Sequence, residues 1–220
     1  MASRAVDRYA PLDVRQMREQ ELGWLALARE KRAKFLQDRS FVYGELVEAV
    51  QGAWTEAARL FAAGQPAQAL AALRELEKRR PIEDIPTPKL LRMYSLLLGH
   101  TGDTARQIDT RGLIFGVQQA IAHSGDGLGP ATAVHVILLE EEYDWLREKK
   151  LKPERQSLKQ IDGQHYDVMT VRDEQGRQLE RYFNVTALFG RHADMLGGFD
   201  PDRSRGPVPR RVDPDRAVAQ

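Results

Sequence analysis

Cysteine is absent from this chain of 220 residues, which excludes disulfide bonds, catalytic thiolates and cysteine-bound metal ions. An excess of charge is also lacking, because 33 basic residues are balanced by 32 acidic ones. Such a balance creates no net field that would attract nucleic acid or an acidic membrane. No apolar run approaches the ~20 residues of a membrane-spanning helix. We therefore expect no nucleic-acid partner and no membrane insertion.

Export signals are the second absence. The first 18 residues alternate charged and apolar positions, and they contain no apolar run of the ~7 to 15 residues typical of a signal peptide. For the chain as given, this pattern predicts a cytoplasmic protein. An envelope or secreted location is expected instead if a leader was removed.

Motifs of common catalytic sites are the third absence. The sequence has no Gly-x-Ser-x-Gly nucleophile motif, no Walker loop, no zinc-binding helix motif and no aromatic RNA-binding signature. These gaps favour a protein without enzymatic activity, although enzymes without a known motif exist. The sequence predicts neither a cofactor nor a bound metal ion.

The main positive feature of the chain is a change of hydrophobic period near residue 130. Apolar residues recur at helical spacing through residues 13–124, and at the two-residue spacing of strands within 125–196. Gly125, Gly127 and Gly129 lie at the junction, where a reversal from helix to strand often requires a positive φ angle. We predict an α+β fold in which helical hairpins and a four-stranded antiparallel sheet share one core.

The helical region is divided by turn residues. Its predicted helices begin at Asp13, at about Phe41 or Tyr43, at Pro66 and near Asp103 or Thr104, and a further apolar helical face runs from Leu90 to Leu98. Residues 1–12 are predicted to be a flexible arm. The basic run 29–34 is interpreted as a solvated helix face, because acidic residues interleave with it.

The hairpin around Gly64 resembles the second half of a tetratricopeptide repeat. Gly64, Ala69 and Pro81 keep the relative spacing of that motif. In the first half of the motif, Ala53 and Glu56 depart from the preferred residues. A related turn follows at Gly102. Two imperfect hairpins fall short of the roughly three repeats that a solenoid needs, so we expect them to pack on another element.

The second half of the chain has the pattern of a sheet. Strands are predicted over about 133–139, 154–161, 164–172 and 178–186, and a short helix over about 140–146. Asp162 and Gly163 form a strong two-residue hairpin signal. The acidic residues that start the short helix interact favourably with its dipole. Residues 197–220 are predicted to be a disordered tail, because Gly, Pro, Asp and Arg dominate there.

Several short segments of the second half carry a family resemblance. They are Ala120-Ile121-x-x-Ser124-Gly125-Asp126-Gly127, Ala133-x-x-Val136-Ile137, Glu141-Glu142-Tyr143, Gln156-Ser157-Leu158, Tyr166-Asp167-x-Met169 and Tyr182-Phe183-Asn184-Val185. They resemble a bacterial family known as domain of unknown function 4919. The resemblance spans roughly 40–190 and is most specific over 120–186. It implies no activity, ligand or catalytic residue, since the family has none established. Many members of that family look exported and begin with a leader, whereas the chain as given shows none.

Polar residues near the junction suggest one site. Asp126, His135, His165 and Asp167 are candidate acid–base or ligand groups for a hydrolase or a metal-dependent enzyme. The favoured interpretation of Asp126 is structural, with its carboxylate bonded to amides of its own loop and Ser124 closing the preceding helix. The acidic residues 140–144 are likewise interpreted as helix-start residues rather than as paired catalytic carboxylates.

The hypothesis that the sequence favours is a non-enzymatic protein-binding or adaptor module. Its basis is the helical-hairpin resemblance together with the lack of convergent reactive groups. Aromatic and arginine side chains dominate interface energetics. The candidate contact residues are therefore Tyr43, Trp54, Arg92, Tyr94 and Arg111. The partner is expected to be another protein, and the sequence leaves the oligomeric state open.

Overall fold

The computed structural model describes residues 14–189. The predicted flexible arm 1–12 and the predicted disordered tail 197–220 lie outside the described residues. The helices are α1 (Val14–Gln37), α2 (Tyr43–Ala62), α3 (Pro66–Arg74), α4 (Pro88–His100), α5 (Thr104–Ala122) and α6 (Glu140–Glu148), with short 3-10 helices at Glu75–Lys78, Ile82–Asp84 and Pro130–Thr132. The predicted α+β class is confirmed, because most helices precede a four-stranded sheet.

Both predicted helical hairpins turn at a glycine in the left-handed conformation. Gly64 (φ 73°) follows α2, and Gly102 (φ 85°) follows α4. The hairpin partners α2 and α3 pack together, as do α4 and α5. Helix α1 lies along α5 at close range, since a Cβ added to Gly116 would lie 2.1 Å from the carbonyl oxygen of Trp24.

The sheet has the strand order β1 (Val134–His135), β4 (Gln178–Asn184), β3 (Gln164–Arg172) and β2 (Lys152–Ile161). The strands β2 and β3 are joined by the predicted two-residue turn, in which Asp162 (φ 49°) and Gly163 (φ 76°) are both left-handed. The strands β3 and β4 are also antiparallel. These three strands therefore form the predicted meander.

The prediction of a purely antiparallel sheet is wrong, because β1 pairs with β4 in parallel. Val134 lies opposite Phe183, and His135 lies opposite Asn184. The physical reason is the helix α6 between β1 and β2. A strand–helix–strand connection crosses the sheet and returns the chain in the same direction. The strands β3 and β4 then occupy the space between β1 and β2.

The strand predicted over 133–139 is also shorter than expected, since β1 ends at His135. Side chains form hydrogen bonds with backbone groups of His135 and Ile137. Arg32 Nη2 donates to the carbonyl of His135 at 3.2 Å, and the Tyr43 hydroxyl donates to that of Ile137 at 2.8 Å. The amide of Ile137 donates to Glu141 at 2.9 Å. Residues 136–138 are therefore buried without extending the sheet.

One hydrophobic cluster contains residues from both halves of the described chain. Its members with at most 1% exposure include Phe35, Leu73, Leu91, Met169 and Phe183. We call the side of the sheet that packs on α6 the inner face. The opposite side, the outer face, carries a smaller apolar cluster around Tyr166 and Val168. Helices and sheet thus bury apolar surface against one another.

Candidate functional site

Helix α6 lies between the helices and the inner face of the sheet, and its helix side carries a buried ion pair. Glu141 is fully buried and accepts two bonds from the guanidinium of Arg32, at 2.5 and 3.1 Å. The pKa of Glu141 is raised overall, because the effect of burial exceeds the lowering by Arg32 and by the Ile137 amide. The two-bond geometry is that of a guanidinium–carboxylate ion pair. This contact joins α1 to α6.

The sheet side of α6 carries a buried carboxyl, that of Glu142, which no cation of residues 14–189 contacts. Burial and the neighbouring carboxylate of Asp167 raise the pKa of Glu142 to about 10. Burial also raises the pKa of Asp167, although a hydrogen bond from Gln156 opposes that shift. Glu142 is consequently protonated at neutral pH and can share its proton with Asp167. No N–H or hydroxyl group within residues 14–189 donates to either Glu142 oxygen.

Hydrogen bonds connect the carboxyl pair to the surface. Gln156 of β2 donates its amide N–H to Asp167 at 2.6 Å. The Tyr143 hydroxyl donates to the amide oxygen of the same Gln156 at 3.1 Å. Gln156 and Tyr143 are both exposed. Strand β2 is therefore bonded both to the buried pair and to the outer surface of α6.

The loop between α5 and β1 is fixed by its own polar groups. Asp126 Oδ1 accepts from the amide of Leu128 at 3.0 Å, and Ser124 Oγ donates to the carbonyl of Ile121 at 2.7 Å. Both contacts are those that the structural interpretation of Asp126 and Ser124 expects. Gly125 is required by close contact, because a Cβ would lie 2.3 Å from the carbonyl oxygen of Thr132.

A cleft of about 540 Å³ opens beside this loop, and we call it the junction cleft. Its polar walls include His123 at the end of α5, Asp126 of the loop, Lys149 after α6 and Arg181 of β4. Its apolar wall includes Trp145 and Leu151. The cleft falls in the range of ~300 to 1,000 Å³ typical of small-molecule sites.

Strand β2 forms an exposed edge of the described sheet. Nine of its ten residues are exposed, whereas the middle of β3 is buried. The register shifts between Pro153 and Arg155, which disturbs the start of the strand. From Arg155 to Ile161 the strand pairs with β3 on one side only. An edge of this kind is a template for pairing with another chain.

The four candidate acid–base residues do not gather into one cluster. His135 is exposed, and its register places it on the outer face of the sheet. His165 and Asp167 lie on the inner face, but His165 stacks on Phe189 with ring centroids 4.5 Å apart. Asp126 lies in the loop. Among residues 14–189, no group of three or more His, Asp or Glu side chains is placed to hold a metal ion.

The five candidate contact residues divide into buried and accessible ones. Tyr43 and Tyr94 are core residues with 5% and 0% exposure, so they are not accessible to a partner. Their helices use the aromatic stripe for internal packing. Trp54 is partly buried beneath Lys89, whose Nζ lies 4.3 Å from its ring centroid. Two further candidates, Arg92 and Arg111, lie at the surface, the first paired with Asp144 and the second exposed.

The sequence interpretation missed the buried roles of Arg32 and Glu142. Arg32 belongs to the basic run that was expected to be solvated, yet it is only 8% exposed. A signal was present, because Ala28, Arg32 and Phe35 share one helical stripe and both apolar members are buried. No comparable local pattern separates Glu142 from its acidic neighbours.

Comparisons with known proteins assign a family. The model of the family named domain of unknown function (DUF4919) matches residues 74–192. The chain belongs to this family. The matched segment begins at the end of α3 and includes α6 and the whole sheet, whereas Arg32 and Tyr43 precede it.

No curated protein and no solved structure gives a significant match to the chain. The family description names no activity. Within residues 14–189, the helices are too short or too polar for any of them to cross a lipid bilayer.

Proposed function

We propose that this protein is a non-enzymatic protein-binding module, and that it pairs an extended acidic segment of a partner with the free edge of β2. The observation that carries the proposal is the exposure of nine of the ten β2 residues at the edge of the described sheet. Backbone pairing with such an edge provides affinity, and the alternating side chains provide specificity.

The charge of the edge favours an acidic partner. Between residues 155 and 161 the strand carries Arg155 and Lys159 and no acidic residue. Both cations lie on the outer face by register, Arg155 opposite Thr170 and Lys159 opposite Tyr166. A second copy of the same strand would bring four positive charges together, which is unfavourable. Carboxylates at alternate positions of a partner strand would instead lie beside these cations.

The inner side of the same edge offers a different surface. Leu158 is 39% exposed, and Tyr143 of α6 is 37% exposed. Register places Leu158 beside Asp167 on the inner face. We therefore expect the partner segment to alternate acidic residues toward the outer face with apolar residues toward the inner face.

The helical hairpins serve as the rigid support in this proposal. Their resemblance to a tetratricopeptide half-repeat is a second reason to favour protein binding. Arg111 on α5 is the exposed candidate on that surface. It provides a direct comparison between binding at the helices and binding at β2.

The test is selection of random peptides, displayed on phage, against the full chain, followed by anisotropy titration and amide hydrogen exchange. Alternating acidic–apolar peptides should be enriched, and alternate amides of 155–161 should exchange more slowly in the complex. The double variant Arg155→Glu, Lys159→Glu should weaken binding at least about tenfold, as expected for losing contacts to charged groups. Arg111→Glu should leave binding unchanged.

Two results would overturn this assignment. One is a selection that enriches no peptide. The other is an enriched peptide whose affinity depends on Arg111 but is insensitive to the β2 double variant.

The alternative, a hydrolase or metal-dependent enzyme near Asp126, receives less support from the described residues. Asp126 is bonded within its loop, and His135 and His165 lie on opposite faces of the sheet. The remaining candidate, Asp167, has the buried Glu142 as its carboxyl neighbour. An enzyme centred on those four residues would require them to act on one substrate from separate surfaces.

A further inference from the structure

We propose that the junction cleft binds a small organic anion, with the anionic group at Arg181 and the apolar part against Trp145 and Leu151. This inference is independent of the β2 edge, because the two surfaces share no lining residue. It rests on the size of the cleft, the charges on its walls and the rigidity of the elements that form it.

The charged side chains of the cleft are predominantly basic. Lys149 and Arg181 each carry a positive charge, and neither makes a salt bridge within residues 14–189, although Arg181 Nη1 donates to the carbonyl of Glu180 at 2.7 Å. Asp126 is the acidic member of the wall, and its carboxylate is already used by the loop. The nearby Thr132 side chain, the Leu128 amide and the charge of Arg181 lower the pKa of Asp126. An entering anion therefore meets two cations and one carboxylate, Lys149 and Arg181 against Asp126.

The two cations differ in their surroundings. Lys149 follows the last turn of α6, where the helix dipole contributes a partial negative charge that a lysine offsets. His123 occupies the same position at the end of α5. Arg181 belongs to β4 and is not at a helix end. Its guanidinium, which suits a carboxylate or phosphate group, is therefore the main recognition group.

The apolar wall gives the ligand a second requirement. Trp145 and Leu151 are largely buried, and each lines the cleft, beside the charged groups, with the small part of its side chain that stays exposed, 5% and 8% respectively. The Lys149 ammonium is 5.7 Å from the centroid of the Trp145 ring. A cleft of about 540 Å³ with one polar and one apolar wall fits an organic anion better than an inorganic ion.

The cleft is held in shape before any ligand enters. Trp145 packs edge-on against Phe183 of β4 at a centroid distance of 5.6 Å. The loop wall is locked by Gly125, where no side chain fits, and by Gly127, whose φ is 69°. The carbonyl of Gly127 also accepts a hydrogen bond from the amide of Tyr182 at 2.9 Å. Binding to a preformed site loses little conformational freedom.

The test is an NMR titration of the full chain with benzoate and phenyl phosphate as anionic probes. Benzamide and benzylamine are the neutral and cationic controls of similar shape. The chain has three tryptophans, so three indole N–H signals are expected, and Trp145→Phe assigns the one in the cleft. Saturable shifts at the Trp145 indole and the Arg181 amide, with at least one anion, would support the site.

Variants distinguish the cleft from general anion binding. Arg181→Gln should raise the dissociation constant roughly tenfold, and Lys149→Gln roughly threefold, as expected for loss of a charged contact in part-exposed surroundings. Lys150→Gln, the matched control outside the cleft, should have no effect. The inference is wrong if benzylamine binds as tightly as benzoate, if Arg181→Gln leaves a normal spectrum with unchanged affinity, or if neither anion binds saturably.

Discussion

Two adjacent glutamates on α6 face opposite sides of the molecule, and the contrast shows how this fold accommodates buried acid. Glu141 points to the helices and is neutralised by the guanidinium of Arg32. Glu142 points to the sheet, where its carboxyl neighbour is Asp167, and it is neutralised by retaining a proton. Burial raises the pKa of both glutamates, but their neighbours differ, since Glu141 has a guanidinium beside it and Glu142 has a second carboxyl.

The raised pKa of Glu142 makes the stability of the fold depend on pH. The pKa of Glu142 rises from 4.5 to about 10 on folding. Between these two values the folded state holds a proton that the unfolded state releases, so raising the pH favours unfolding. Stability from the protonated Glu142 is therefore complete below pH 4.5 and is lost progressively toward pH 10. The Arg32 pair gives the helix side of α6 a compensating charge that the sheet side lacks.

The largest effect on stability is expected from removing the ion pair on the helix side of α6. Arg32→Met leaves Glu141 buried without its cation, which should lower the free energy of unfolding by about 3 to 5 kcal/mol. Urea denaturation measures the change. Arg29→Met, at an exposed position of the same helix, is the control and should change stability by less than about 0.5 kcal/mol.

A second variant tests whether the loss arises from the unpaired charge. Adding Glu141→Met to Arg32→Met removes both charges and should recover most of the lost stability. A double variant that is as unstable as Arg32→Met alone would show that packing of the arginine, rather than the ion pair, is responsible.

Near the lower end of the titration window, at about pH 6, an intermediate effect is expected from the sheet side. Glu142→Gln keeps the shape and the neutral state, so the variant should lose the pH-dependent penalty of up to about 1.4 kcal/mol per pH unit. The variant should equal the parent near pH 4.5 and exceed it increasingly at higher pH. Urea denaturation measures the difference in the free energy of unfolding between the variant and the parent. It should be followed from about pH 5 to about pH 9, because both limits lie between the unfolded and folded pKa values of Glu142.

Glu148→Gln, an exposed change on the same helix, is the matched control for this series. The difference between Glu142→Gln and the parent must change with pH. If that difference is constant, Glu142 does not retain its proton on folding.

The smallest effect is expected at the surface of α6. Arg92 pairs with Asp144 while its side chain is 40% exposed, so water and salt screen the charges. Arg92→Leu should lower stability by about 0.2 to 1 kcal/mol at low salt and by less at high salt. Thermal denaturation at two salt concentrations measures both values. A loss as large as that of Arg32→Met would remove the distinction between buried and exposed pairs.

Elements governed by local signals were predicted well from the sequence. The hairpin turns at Gly64 and Gly102 and the two-residue turn at Asp162 depend on backbone conformations that neighbouring residues specify. The strand β3 begins and ends at the predicted residues, because alternation and flanking turns mark both ends. The hydrogen bond of Asp126 within its own loop could be predicted for the same reason, since its partner amide lies two residues away.

Other features depended on distant neighbours and were missed. The helix predicted between the first two strands was a sequence cue for the direction of β1. Its pairing partner β4, however, lies about fifty positions later, which is too far for local patterns to identify it. Tyr43 and Tyr94 were assigned to a surface because an aromatic stripe does not reveal what it packs against. The exposed β2 edge follows from strand order, which periodicity does not specify.

The sequence by itself determined the change from helix to strand near residue 130, the helical hairpins and the meander, because each depends on residues close together in the chain. Only the tertiary structure decided which of the two α6 glutamates has a cationic partner. Arg32 and Glu141 are 109 positions apart, and folding alone brings them within 2.5 Å. Burial and the nearest charge fix the state of a carboxyl, and both are properties of the packed molecule rather than of the local sequence.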